Sequence, residues 1–391
     1  MQTAVLLTMG TAGDLVPFFK LASALQRQRV DVILITHCSY AATACRLGIE
    51  FDTWDTPEQF DAFIKDGPLL DTPEGMLKFA DRHVFSKVGA VIDALDAHCN
   101  KPNVTIYARH MLDFAASIVA NQRSLSYVSI LPSVSHASGF RLWTEYRRLI
   151  LADRINRVRI ERGMPAISNW AAGDDAAHAF LGCWPEWFAA PESTWPERLI
   201  PIGFLCSDGI ETASLSPDIE RALDGDPREL VLITGGTSLW THAAQFYSTA
   251  AKACDIVNRK AILVCPHPDL IPPRLSSGIC TAAALPFSLI MHRFAAVIHH
   301  GGAGTMVRAM HSETPQLVLP YGGDRVDNAR RIQELGIGLC LPVSEWTPPN
   351  IANALKRLIN NSRVRGACAS IRKRISYTPD LEHVLLSIVK A

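Results

Sequence analysis

"VIHHGGAGTMVRAM", residues 297–310, runs from apolar β-type residues through two histidines and a glycine turn into a helix-forming run. Gly301, Gly302 and Gly304 leave backbone N–H groups unobstructed where the helix would begin. A helix start carries roughly half a positive charge and unpaired amides, so it is a ready anion site. Thr305 adds a hydroxyl and His300 a ring N–H that donates even when the imidazole is neutral. The set suits a diphosphate; a plain glycine turn beside a core histidine is the competing reading.

Outward from this stretch, short apolar runs alternate with helix-period segments. "AVLLTM" (4–9), "DVILIT" (31–36), "IEFDTW" (49–54), "NVTIYA" (103–108) and "LSYVSIL" (125–131) read as strands of a first half. "ELVLITGG" (229–236), "KAILVC" (260–265), "AAVIHH" (295–300), "PQLVLP" (315–320) and "IGLCLP" (337–342) read as strands of a second. The rhythm predicts an α/β chain of two doubly wound, Rossmann-like domains facing across a cleft, with ligands at the carboxyl ends of the strands. The expected divisions are residues 1–208, a polar linker at 209–228, 229–375, and a C-terminal helix at 376–391 packing back on the first domain.

Composition narrows the function classes. The chain has 391 residues, 48% of them hydrophobic, with 38 basic against 38 acidic side chains. Such a balance argues against a nucleic-acid binder that works through a global positive field. The ten cysteines form no CxxC pair, and the start "MQTAVLLTMG" lacks the pattern of a signal peptide. No apolar run reaches the ~18 residues of a membrane span. The expectation is a cytoplasmic protein that touches a membrane at most peripherally, through a lipid substrate.

Three further turns carry polar chemistry. "TMGTAGDLVPF" (8–18) sets Asp14 after Gly10 and Gly13, with Pro17 expected in the first turn of a helix. Asp14 reads either as an N-cap or as a carboxylate that takes a proton from a substrate. "LPYGGDRVDNARR" (319–331) sets Asp324 at a helix start, as another N-cap or as an acceptor for sugar hydroxyls. "TGGTSLW" (234–240) offers Gly236, Thr237 and Ser238 as phosphate contacts. Neither glycine turn fits the dinucleotide fingerprint. His292, His299 and His311 lie nearby, but no carboxylate or cysteine completes a ligand spacing, so no metal and no cofactor is expected. His110 and Asp113, in "YARHMLDF", are candidates to line an acceptor pocket, or a satisfied histidine pair.

On these residues the chain resembles the family-1 glycosyltransferases of GT-B architecture. "HHGGAGT … LPYGGDRVDNA" is similar to their donor signature, and "MGTAGDLVPF" to the "GSxGDxxP" start of bacterial and sterol members. The segment "CWPEWFAAPESTWPERLIPIGFLCSDG" (183–209) resembles the rhamnosyltransferase of rhamnolipid synthesis. The resemblance implies inverting transfer of a hexose or deoxyhexose from a UDP- or dTDP-sugar to a hydroxyl of a hydrophobic small molecule or lipid. It implies Asp14 as general base, and His300, Gly302, Gly304 and Thr305 on the diphosphate. Asp324 would then meet sugar hydroxyls, and the backbone near Leu285 the nucleobase. Arg325 departs from the usual "DQ" pair and is read as a donor-selecting, acceptor-facing or structural group. A nucleotide-sugar epimerase and a non-catalytic nucleotide-sugar binder are the alternative functions.

Overall fold

A computed structural model describes residues 2–170, 177–205, 215–226, 229–375, 381, 382, 384 and 385. The chain divides into two compact units, residues 1–205 with 378–391, and residues 206–377. Parts of the expected linker, 209–214 and 227–228, and most of the expected last helix lie outside the described residues. In the first unit, Arg27 pairs with Glu382 at 2.5 Å, so the end of the chain touches the first helix.

The first unit is a seven-stranded parallel sheet in the order β3-β2-β1-β4-β5-β6-β7. Its strands are β1 (Thr3–Leu7), β2 (Asp31–Ile35), β3 (Glu50–Asp52), β4 (Val104–Arg109), β5 (Ser126–Leu131), β6 (Ala179–Gly182) and β7 (Leu199–Pro201). The central strand "TAVLL" is buried along its whole length, as expected for a strand covered by helices on both faces. Val5 lies in register with Ile33 on one side and Ile106 on the other. The chain leaves β1 toward β2 and later returns to the other side of β1 as β4, which makes a switch point between β1 and β4.

The second unit is a six-stranded parallel sheet in the order β10-β9-β8-β11-β12-β13. It comprises β8 (Leu230–Thr234), β9 (Lys260–Val264), β10 (Ile279–Ala282), β11 (Ala296–His299), β12 (Gln316–Val318) and β13 (Gly338–Cys340). Its switch point falls between β8 and β11, where Thr234 is in register with His299. The opening stretch therefore leaves the sheet at the place where ligands of such sheets bind.

All ten strands expected from the apolar runs are present, and β6, β7 and β10 add to them. Those three are short, of three or four residues, and their apolar content is too brief to show a period. The first helix, α1, spans Ala12–Arg27, so Pro17 is inside it and not in its first turn. Helix formation is favoured there by nine buried residues, which outweigh the missing N–H of one proline. Among the described residues no helix is long and apolar enough to cross a membrane.

Candidate functional site

In the second unit three turns converge on His300. Helix α2 (Ala303–His311) follows β11, with Gly302 as its N-cap. The amides of Ala303, Gly304 and Thr305 are thus among the first-turn donors that have no partner within the helix. The His300 ring lies between Gly236 and Gly302: a Cβ at either position would come within 2.6 and 2.5 Å of ring atoms. Only glycine leaves room for the imidazole on both sides. The ring is buried, and burial pushes its pKa well below the usual imidazole range, helped by the charges of Arg325 and His299. His300 is therefore a neutral hydrogen-bonding group.

A buried hydrogen-bond chain supports that turn. His299 Nδ1 accepts from the Gly301 amide at 3.2 Å, so its proton sits on Nε2, which donates to Gln316 Oε1 at 3.0 Å. Burial lowers the His299 pKa to about 4, against the raising effect of its hydrogen bond to Gln316. The Gly301 carbonyl accepts from Asn328 Nδ2 at 2.9 Å. Asn328 belongs to helix α3 (Asp324–Glu334) and lies 3.5 Å from Asp324 Oδ2 through the same nitrogen. Asp324 is the first residue of α3, and its cap is Gly323 (φ 58°), which corrects the N-cap alternative. The half-buried carboxylate sits at the positive end of the helix.

Arg325 braces the turns. Its Nη2 donates to Ser238 Oγ at 3.3 Å, its Nη1 to the Tyr321 carbonyl at 3.1 Å, and its guanidinium lies 5.4 Å from the centre of the Trp240 ring. Trp240 in turn stacks on Tyr321 at 6.2 Å. Thr237 is exposed, and its carbonyl accepts from His267 Nε2 at 3.0 Å. The Leu285 side chain is buried in an apolar cluster with Met291, Phe294 and Val297, and its carbonyl accepts from the Phe287 amide at 2.9 Å.

In the first unit Asp14 is the third residue of α1 and the cap is Thr11, which corrects the N-cap alternative. Asp14 Oδ2 accepts from the Thr11 amide at 3.0 Å. Its Oδ1 accepts from Arg109 Nε at 3.2 Å and Nη2 at 2.8 Å. A Cβ on Gly10 would overlap this carboxylate, so the glycine lets it fold back over the turn. Burial, then the Asp14 charge, push the Tyr40 phenol above its usual range. One residue past β4, His110 Nδ1 is 3.0 Å from Asp113 Oδ2, which also accepts from Ser129 Oγ at 3.0 Å. Asp14 and Arg109, with His110 and Asp113, thus stand at the switch point between β1 and β4.

Sequence reasoning missed Arg109, Ser129, Asn328, Gln316 and Trp240. Asn328 carried a signal: it lies four residues after Asp324, on the same helix face. Arg109 and Ser129 acquire meaning only once the strand order is known. Among the described residues no group of three or more histidines, cysteines and carboxylates comes together.

Residues 264–390 match the family model described as erythromycin biosynthesis protein CIII-like, C-terminal domain. The 3-alpha-mycarosylerythronolide B desosaminyl transferase of Saccharopolyspora erythraea is 32% identical over 111 residues, 28% of this chain and 26% of that protein. The sterol 3-beta-glucosyltransferase of Komagataella phaffii is 22% identical over 403 residues, 95% of this chain and 33% of that protein. The chain therefore spans a third or less of the length of these curated relatives. The solved spinosyn forosaminyltransferase SpnP superposes with a TM-score of 0.76 at 19% identity, covering 100% of both chains. The relatives and the structural neighbour all bear glycosyltransferase names. The two Rossmann-like units share the GT-B fold of such a neighbour, and residues 264–390 resemble the erythromycin biosynthesis protein CIII-like C-terminal domain.

Proposed function

We propose that the protein is an inverting glycosyltransferase that moves a hexose or deoxyhexose from a UDP- or dTDP-sugar to a hydroxyl of a hydrophobic small-molecule or lipid acceptor. The observation that carries this reading is the buried His300 set between Gly236 and Gly302 beside the start of α2. Such an arrangement offers preorganised donors to a diphosphate that gains negative charge as it leaves, which is where they lower a barrier most. His300, the amides of Gly302 and Gly304, and Thr305 hold the diphosphate, with Gly236, Thr237 and Ser238 alongside. Asp324 takes the sugar hydroxyls, and the backbone at Leu285 meets the base. No metal is needed in this scheme, so a chelator leaves transfer unchanged.

On the acceptor side the proton of the attacking hydroxyl passes to a group at the carboxyl ends of β1 and β4, where Asp14 stands in its pair with Arg109. The compartment is the cytoplasm, with peripheral membrane contact through the acceptor if that acceptor is a lipid.

A panel of UDP- and dTDP-sugars, scored for nucleoside diphosphate release with and without hydroxylated lipids and aglycones, tests the proposal. Acceptor-dependent release, with a product of inverted anomeric configuration by NMR, is the expected result. Sugar interconversion without an acceptor would replace it by an epimerase. Tight donor binding without release would leave a non-catalytic binder.

A further inference from the structure

We propose that His110 is the group that takes the acceptor's proton, with Asp113 and Ser129 fixing its tautomer and the helix Phe140–Tyr146 as a displaceable cover. The inference rests on the transferase reading above. It starts from place: His110 is the first residue beyond β4, its amide donating to the Ile130 carbonyl at 2.7 Å, so its ring projects at the switch point. Its neighbour Arg109 is the residue that holds Asp14.

The hydrogen bonds determine which nitrogen is open. An ionised carboxylate only accepts, so Asp113 Oδ2 places the proton of a neutral His110 on Nδ1 and leaves Nε2 with a bare lone pair. Burial alone would raise the Asp113 carboxyl, but the charge and hydrogen bond of His110, the charge of Arg147 and the hydroxyl of Ser129 hold it at about 2. Nε2 is buried without a hydrogen-bond partner, in a residue 2% exposed. Two further buried atoms around it, Trp143 Nε1 and Asp113 Oδ1, also have none. Buried polar atoms are nearly always paired, so three orphans around one ring mark a place where a polar ligand atom belongs. Met111, the next residue, has a φ of 82°, a left-handed conformation that is rare away from glycine and is held here at the same corner.

Asp14 is less suited to the step. Arg109 occupies one of its oxygens twice and the Thr11 amide occupies the other. Arg109 also donates to the His110 carbonyl at 3.2 Å, which makes Asp14 and Arg109 a positioning pair for the histidine. The pair His37 and Asp55 also leaves a buried Nε2 without a partner. That ring, however, is caged by Trp54, Phe60 and Phe63 at 4.6–5.3 Å, and it follows β2, away from the switch point.

The cover over His110 is only partly buried, held by Phe140 against Phe180 at 5.2 Å and by Arg141 on the Ser193 carbonyl at 3.2 Å. Phe140 stacks on its ring at 5.6 Å and Trp143 meets it edge-on at 6.1 Å. Yet the helix that carries both has no fully buried residue, and its Leu142 is 76% exposed. It runs on into a π-helical stretch, Arg147–Leu151, a local irregularity common at functional sites. An apolar acceptor can displace such an element at little cost. As the acceptor oxygen bonds to the anomeric carbon, its O–H bond breaks and the proton joins Nε2. The bond from that carbon to the diphosphate oxygen breaks, and its electron pair leaves with the nucleoside diphosphate. Asp113 stabilises the imidazolium until it loses the proton to water. The other charged or titratable groups nearby are His136, kept neutral by burial and then by the charge of Arg109, Arg109 on the His110 carbonyl, and Arg147, whose charge acts on Asp113.

The test uses the full chain with a donor and acceptor that the wild type turns over. Turnover against pH, nucleoside diphosphate binding by calorimetry and thermal melting are read on the wild type and on His110→Gln, Asp113→Asn and Asp14→Asn. His110→Gln is expected to lose roughly 10²–10⁴-fold in turnover and the acid limb of the profile, while binding UDP or dTDP normally. Asp113→Asn should move that limb, and Asp14→Asn should slow turnover but keep it. Wild-type turnover with an intact limb in His110→Gln overturns the proposal, as does loss of the limb in Asp14→Asn. Should His110→Gln fail to fold, an unmoved limb in Asp113→Asn overturns it. A wild type that releases no nucleoside diphosphate with any acceptor sinks the transferase reading itself, a different result.

Discussion

Asn328 donates from Nδ2 to the carbonyl of Gly301 at 2.9 Å, tying the helix that begins at Asp324 to the glycine turn before α2. Both partners are buried. Asn328→Leu removes the donor and leaves a buried carbonyl unpaired, which costs about 1–3 kcal/mol. We expect that loss in chemical unfolding, together with weaker UDP or dTDP binding by calorimetry. Unchanged affinity would uncouple the two turns.

His300→Ala removes one hydrogen bond to a charged ligand, worth on the order of 1.5–3 kcal/mol. Nucleoside diphosphate affinity should fall roughly 10- to 100-fold. Because the imidazole is held neutral by burial, affinity for a UDP- or dTDP-sugar, whose diphosphate does not titrate in this range, should stay level as the pH drops from 8 to 6 in the wild type. A rise in affinity over that range would mean that a protonated ring carries the binding.

His299 makes two distinct bonds, and two substitutions separate them. Asparagine imitates the accepting Nδ1 that receives the Gly301 amide, whereas glutamine reaches toward Gln316 in place of Nε2. His299→Asn should therefore keep nucleotide binding better than His299→Gln, and equal losses would remove the turn from its role.

The same residue links stability to pH. Its folded pKa of about 4 lies below the ordinary imidazole value near 6.5, so between these values the unfolded chain binds a proton that the folded chain refuses. The stabilisation is complete above pH ~6.5 and falls away toward pH ~4, by ~3 kcal/mol at the upper limit. His136 and His300 are depressed too and add slope in the same direction. His299→Asn should flatten the dependence of the melting temperature on pH by about one proton equivalent.

Arg325→Gln tests bracing against donor choice. Losing the cation–π contact with Trp240 and the bonds to Ser238 and the Tyr321 carbonyl should lower stability by ~1–2 kcal/mol. With the guanidinium engaged on three neighbours, the ratio of two competing donor sugars in one tube should hold. A changed ratio would make Arg325 a sugar-selecting group.

Much of the second unit was legible because its site is written into short contiguous motifs. Glycines 236, 302 and 304 announce turns that any reader of local chemistry can place, and the strands before them are apolar runs of ordinary length. The first unit was less legible. Asp14, Arg109, His110 and Ser129 lie on or just after three strands whose order the sequence does not state, and their pairings span up to 95 residues. His110 and Asp113, three apart, could be seen as a pair, but neither Ser129 nor the orphaned Nε2 has any trace in a one-dimensional reading. The three strands that escaped notice are too short to show a period, and Pro17 was misplaced because tertiary burial overrode a local preference.

The two sites are built of different material, and this bears on how the chain can change. Around His300 the elements proposed to hold the donor include main-chain amides exposed by glycine, which do not depend on the identity of their own side chains. Around His110 the elements are side chains, and Asp14 serves at once as an acceptor for the first helix's cap residue and as anchor of Arg109. New acceptors can be met by exchanging residues of the Phe140–Tyr146 cover, where nothing is fully buried, without touching that anchor. Innovation should therefore concentrate in the cover, leaving the second unit as common inheritance, in keeping with a family model that matches residues 264–390.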